Sequence, residues 1–108
     1  MNITTTTRDT TAIVSLSGDV DLETSPQVRK ALLAALGSGS DAVLADLAEV
    51  TYIDSSGVAS LVEALQKARG AGKRFALVAV SDAAHRVLEL ARLDRVFTIH
   101  ASVEDACG

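Results

Sequence analysis

The stretch "VTYIDSSGVASLVEAL", residues 50–65, joins two different periodicities through three polar residues in a row. Behind the polar residues, Val58, Leu61, Val62, Leu65 and Ala68 recur at helical spacing, and "GAG" at 70–72 ends the pattern. This is the clearest amphipathic helix in the chain. Ahead of them, "DAVLADLAEVTYI" is an apolar run interrupted by Asp46 and Glu49, which predicts a buried strand over about residues 42–48. A strand that feeds directly into a helix is half of an α/β unit, and the flanking sequence supplies the rest.

Toward the N-terminus, "ITTTT" is rich in β-branched residues, and "TAIVSLS" alternates, with Ala12, Val14 and Leu16 on one side and Ser15 and Ser17 on the other. Two strands joined by the polar break Arg8 to Thr10 make a hairpin, which Gly18 is expected to end. Ser25 and Pro26 then start a helix over about 25–36 with Val28, Leu32 and Ala35 as its inner stripe, closed by "GSGS" at 37–40. Toward the C-terminus, "RFALVAV" at 74–80 is apolar at nearly every position, as in a strand covered on both faces. Asp82 is the expected cap of a third helix with the stripe Ala84, Val87, Leu88 and Ala91, and "VFTIHAS" from Val96 supplies a last strand. The order ββαβαβαβ predicts an α/β fold in which an antiparallel hairpin leads into parallel strands joined through helices.

With 108 residues the chain fits a single domain over residues 1–108 that buries roughly two thirds of its unfolded surface. A hydrophobic fraction of 48% with 22% charged residues argues against disorder. The net charge of -4, with 10 Lys and Arg spread along the chain, gives no basic stripe for a phosphate backbone, so nucleic acid is not an expected partner. One cysteine, Cys107, makes no internal disulfide and is read as an incidental free thiol, which favours a reducing compartment. The opening "MNITTTTRDT" has no charged segment followed by an apolar one, and no apolar run approaches the ~20 residues of a membrane span. A cytoplasmic protein without direct membrane insertion is the expectation.

The chemistry centres on "DSSG". A hydrolase elbow wants Gly-x-Ser-x-Gly, and "IDSSG" lacks the first glycine whether Ser55 or Ser56 is the nucleophile. The two histidines, His85 early in the third helix and His100 in the last strand, are read as ordinary packed or solvated side chains rather than a triad base. No His, Cys or carboxylate pair recurs at metal-ligand spacing, and "GSGS" follows a helix where a phosphate loop follows a strand; no cofactor, metal or catalytic residue is implied. The plainest account of "DSSG" is a helix cap, since Asp and Ser both favour that position. One cap needs one such residue, and the hydroxyls left over sit at a helix N-terminus, where added negative charge is tolerated. A phosphoryl group there would bring a charge of about -1.5 to -2 beside Asp54 and change which partner the surface accepts.

The segments "SGDVDLETSPQVRKAL", "YIDSSGVASLVEALQKARGAGKRFALVAVS" and "VLELARLDRVFTIHAS", in that order and spacing, resemble the STAS domain of anti-sigma factor antagonists from about residue 10 to residue 102. The resemblance implies a protein-binding switch without catalysis. The unphosphorylated domain would sequester an anti-sigma factor with serine kinase activity, and a phosphatase would restore it after phosphorylation. Carried over by position, the phosphoacceptor is Ser55, and the partner-binding residues are Asp54, Ser56 and Gly57 with Asp19 and Asp21 from the acidic turn. The chain departs from relatives that continue Gly-Leu-Gly after the serines, having Gly57, Val58 and Ala59, and Ala91 and Arg92 stand where many relatives have Thr-Gly. STAS domains also serve as accessory subunits of ABC-type phospholipid transporters, which makes a permease and ATPase pair the alternative partner.

Overall fold

A computed structural model describes residues 1–107. Strands β1 (Asn2–Arg8) and β2 (Thr11–Val20) form an antiparallel hairpin, with Arg8 opposite Thr11 and Asn2 opposite Ser17. β2 then pairs in parallel with β3 (Ala42–Ile53), β3 with β4 (Arg74–Val78) and β4 with β5 (Thr98–His100), giving one sheet in the order β1-β2-β3-β4-β5. Between and after them run α1 (Ser25–Leu36), α2 (Ser55–Gly70), α3 (Asp82–Leu90) and a short α4 (Val103–Cys107). The expected order is observed, with α4 added. None of these helices is long and apolar enough to cross a membrane.

The sheet has one large apolar face and one small one. Val14, Leu16, Val43, Leu47 and Leu77 pack on Val28 and Leu32 of α1, Leu61 and Leu65 of α2 and Leu88 of α3. On the opposite face Ile13, Leu44, Ala76 and Val78 are covered by Val103 and Ala106 of α4. β4 is therefore buried from Phe75 to Val78 on both sides, as its unbroken apolar run requires. The inner stripes of α1 and α2 are those expected, but Ala91 is exposed and lies past the end of α3.

β2 and β3 are longer than their sequences suggest. Gly18 does not end β2; it takes φ +107°, which only glycine adopts freely, and the strand continues to Val20. β3 runs to Ile53 instead of ending near 48, because two irregularities in its pairing with β2 each give β3 one residue more than its partner. The extra residues change the inward period from two to three, so that Leu47, Val50 and Ile53 are buried while Ala48, Glu49, Thr51 and Tyr52 are exposed. Past the pair Asp46 and Val78, β3 outruns β4 and has a bare edge. Ser81 covers it, donating its N–H to the Leu47 carbonyl at 3.3 Å and its hydroxyl to the Val50 carbonyl at 2.7 Å.

Three further expectations are corrected. Ser81, not Asp82, caps α3: its Oγ accepts the Ala84 N–H at 3.2 Å, and Asp82 is an acid in the first turn. β4 ends at Val78 because Ala79 takes φ +51° and turns the chain. β5 starts at Thr98, since the Val96 and Phe97 amides are held in a turn by the Leu93 carbonyl; Phe97 is buried there, edge-on to Phe75 with ring centroids 6.4 Å apart.

Candidate functional site

The ends of β2 and β3 meet the start of α2. The Asp54 backbone N–H donates to the Val20 carbonyl at 3.1 Å, which fixes the end of β3 to the end of β2. Its carboxylate Oδ1 then accepts the N–H groups of Ser56 at 2.9 Å and Gly57 at 3.2 Å, so Asp54 is the N-cap of α2. The helix-cap account of "DSSG" thus belongs to Asp54, leaving both serines within the first turn. Ser55 is exposed on the first helical residue, and Ser56 is half-buried behind it. The Ser56 carbonyl accepts the Ser60 hydroxyl at 3.2 Å, and Ser60 also reaches the Ser25 carbonyl of α1 at 3.4 Å.

Gly57 is buried because it lies directly on the strand ends. A Cβ there would stand 2.6 Å from Ile53 Cγ1, 2.6 Å from Val20 Cγ1 and 3.0 Å from the Val20 carbonyl oxygen. Both side chains are buried themselves and have nowhere to go. Gly57 therefore shapes the surface from beneath and presents no side chain to a partner.

The acidic turn lies alongside. Asp19 sits opposite Tyr52 across the β2–β3 pair and accepts the Thr51 hydroxyl at 2.7 Å on Oδ1. Asp21 Oδ1 accepts the backbone N–H groups of Glu23 and Thr24, each at 3.0 Å, and the Asp21 N–H donates to Thr24 Oγ1 at 2.9 Å. The Thr24 N–H, first among these contacts, holds the Asp21 carboxyl below its ordinary pKa of 3.8. Asp21 is thus the organiser of the loop into α1, while Asp19 is the more exposed of the two.

Sequence reasoning missed the apolar part of this end of the molecule. Leu22 is 77% exposed and Tyr52 50% exposed, the first in the acidic turn and the second beside Asp19. Between α2 and α3 a groove of about 660 Å³ starts at Ser55 and runs along Val58, Val62, Val87 and Leu90, with Leu90 80% exposed. Within the period-three stretch Tyr52 reads as one more residue of an apolar run, and Leu22 is an isolated apolar residue in a polar turn; neither carries a signal without the fold. The histidines are placed elsewhere: His85 Nδ1 pairs with Glu89 at 2.8 Å on α3, and His100 ends β5. Among the described residues no three His, Cys, Asp or Glu side chains gather as metal ligands.

Comparison with known proteins agrees with this architecture. The anti-sigma-B factor antagonist of Staphylococcus aureus (strain NCTC 8325 / PS 47) is 28% identical over 104 residues, 96% of each chain. The anti-sigma-F factor antagonist RsfB of Mycobacterium tuberculosis (strain CDC 1551 / Oshkosh) is 26% identical over 106 residues, 98% of this chain and 86% of that one. The crystal structure of an anti-sigma factor antagonist from Mycobacterium paratuberculosis superposes with a TM-score of 0.89 at 28% identity, covering 98% of this chain and 90% of the other. The family model of the STAS domain matches residues 2–106, so nearly the whole chain, from the hairpin through the Asp-Ser-Ser-Gly helix start to α4, belongs to the STAS domain family.

Proposed function

We propose that this STAS domain is an anti-sigma factor antagonist switched by phosphorylation of Ser55. Unphosphorylated, it sequesters an anti-sigma factor that is itself a serine kinase; phosphorylated, it lets that partner go, and a phosphatase resets it. The observation that carries the reading is the position of Ser55, an exposed hydroxyl on the first residue of α2 beside a cap already supplied by Asp54. A kinase can reach such a hydroxyl, and the core beneath it does not depend on it. The relatives named as anti-sigma factor antagonists, similar over nearly the full chain, support the choice of partner class.

The switch works through charge and desolvation. In the unmodified state Ser55 opens onto the groove lined by Leu90, and Tyr52 at the end of β3 and Leu22 in the acidic turn add exposed apolar surface that a partner can bury. A phosphate of about -1.5 to -2 charge next to Asp54 and Asp19 would have to be taken out of water by the same partner without a matching cation. Each 1.4 kcal/mol of that cost weakens binding about tenfold. The domain binds and does not itself catalyse.

The test is incubation with the cognate kinase and ATP followed by peptide mass spectrometry, with binding of the partner measured for wild type and Ser55→Asp. One added phosphate on Ser55 and lost binding by Ser55→Asp are expected. Absence of phosphate on Ser55, or undiminished binding by Ser55→Asp, overturns the switch; copurification with a permease and ATPase and an unaffected Ser55→Ala would identify a transporter subunit instead.

A further inference from the structure

At the opposite end of α2 lies a second concavity whose lining does not match the protein's overall charge. The chain carries 14 Asp and Glu against 10 Lys and Arg, yet among the described residues the cleft of about 310 Å³ at the start of β4 is lined by Arg69, Lys73, Arg74 and His100 and by no carboxylate. Its walls are apolar on both sides of the open β4 edge, with Leu65 and Phe75 on the face that packs on α2, Leu44 and Ala76 on the face covered by α4, and Val96 also in the lining. The space exists because β5 is only three residues long. It pairs with Ala76 to Val78, so Arg74 and Phe75 at the start of β4 have no strand beside them on that edge.

Ordinary structural duties explain part of the lining. Lys73 Nζ donates to the Leu36 carbonyl and closes the C-terminus of α1, and Arg69 stands in the last turn of α2, where a cation complements the helix dipole. Arg74 and His100 have no such helix end to serve. The ion pairs found among the described residues join Arg8 to Glu104, Arg29 to Glu63 and His85 to Glu89, and none of them uses Arg69, Arg74 or His100. Two guanidinium groups with no carboxylate partner among the described residues, set beside an apolar wall, are suited to an oxyanion carried on a hydrocarbon body.

We propose that this cleft is a binding site for a small amphiphilic anion, a carboxylate or phosphate headgroup on a short apolar chain. The headgroup lies between Arg69 and Arg74 at the open edge of β4, and the chain lies against Leu65, Phe75 and Val96. The site is about 21 Å along α2 from Ser55, counted over fourteen residues at the helical rise, and does not depend on the switch there.

The test is an amide NMR titration of the intact protein with octanoate, octyl phosphate, inorganic phosphate and octanol. Saturable shifts centred on residues 73–76 and 96–100 with octanoate or octyl phosphate are expected, and the stronger of the two identifies the headgroup. Arg69→Gln combined with Arg74→Gln should weaken that binding roughly tenfold or more, while the charge-matched surface pair Lys30→Gln and Arg86→Gln should leave it unchanged. The proposal is overturned if neither amphiphile saturates there, if octanol or inorganic phosphate binds as well as the amphiphile, or if the double arginine variant, shown folded by its spectrum, binds like wild type.

Discussion

The backbone N–H of Asp54 lies 3.1 Å from the carbonyl oxygen of Val20, and through this one bond the helix bearing Ser55 starts from the end of a strand thirty-odd positions earlier in the chain. Everything that sets the height of Ser55 above the sheet acts at this junction: the cap of Asp54, the missing Cβ of Gly57, and the loop organised by Asp21.

Replacing Gly57 by alanine should destabilise the protein by about 1–3 kcal/mol, the range for overpacking a tight core. The new methyl meets Val20 and Ile53 at 2.6 Å and the Val20 carbonyl at 3.0 Å, and neither side chain is a flexible end on the surface. Urea denaturation of Gly57→Ala beside wild type reads the effect, and an unchanged midpoint would mean that α2 is not seated as described.

Asp54→Ala removes the acceptor for two first-turn N–H groups and should cost about 0.5–2 kcal/mol, whereas Asp54→Asn, which keeps a side-chain oxygen, should cost less. The ordering of the two variants by chemical denaturation separates a capping role from a purely electrostatic one.

The C-termini of α2 and α3 are closed by the same pair of bonds. In α2 the Gly72 and Lys73 amides donate to the Arg69 and Ala68 carbonyls, and in α3 the Arg92 and Leu93 amides donate to the Glu89 and Leu88 carbonyls. Gly72 takes φ +70° without strain, but Arg92 takes φ +59°, a conformation that costs an L-residue about 1–2 kcal/mol. Arg92→Gly removes that cost and adds about 0.5–1 kcal/mol of backbone entropy to the unfolded chain. A net stabilisation of about 0.5–1 kcal/mol, seen as a raised thermal midpoint, is expected.

Asp21 predicts an acid limb in the stability profile. Its folded pKa is depressed, so its contribution to stability is present above the ordinary value of 3.8 and is lost as pH falls through the lower folded value. Urea midpoints of wild type and Asp21→Asn should therefore differ near neutral pH and converge as the pH drops below 3.8.

Ser55→Asp should leave stability within about 0.5 kcal/mol of wild type, because the side chain is exposed and an acid at the first helical position suits the dipole. Its effect should appear only in binding. A large loss of stability in this variant would show that the hydroxyl serves the fold.

How far the sequence reveals these features depends on whether a residue acts through a local pattern or through a distant neighbour. The stripes Val28, Leu32 and Ala35 in α1 and Val58, Leu61 and Leu65 in α2 are repeating local signals, and they placed both helices. The second half of β3 was not legible, because Leu47, Val50 and Ile53 follow a period of three that belongs to neither a regular strand nor a helix. Ser81 outranks Asp82 as a cap only because the bare edge of β3 draws its hydroxyl, a fact of tertiary structure. Of the residues at the candidate site, Asp54, Ser55, Ser56 and Gly57 form a contiguous motif that is legible in the sequence as one. Leu22, Tyr52 and Leu90 are ordinary apolar letters until the fold leaves them uncovered.

The two extra residues in β3 also make this part of the chain a ruler. Between Asp46, the last residue paired to β4, and Asp54, the spacing is consumed by a strand whose every third residue points inward. Losing one residue there would bring Asp54 to the place of Ile53, and gaining one would bring Tyr52 there; either change rolls the start of α2, with its serine, away from its seat on the strand ends. The two-residue turn at Asp9 and Thr10, at the far end of the sheet, bears no such constraint. Insertions and deletions should therefore be tolerated at the hairpin and selected against between Asp46 and Ser55, even though both segments belong to the same sheet.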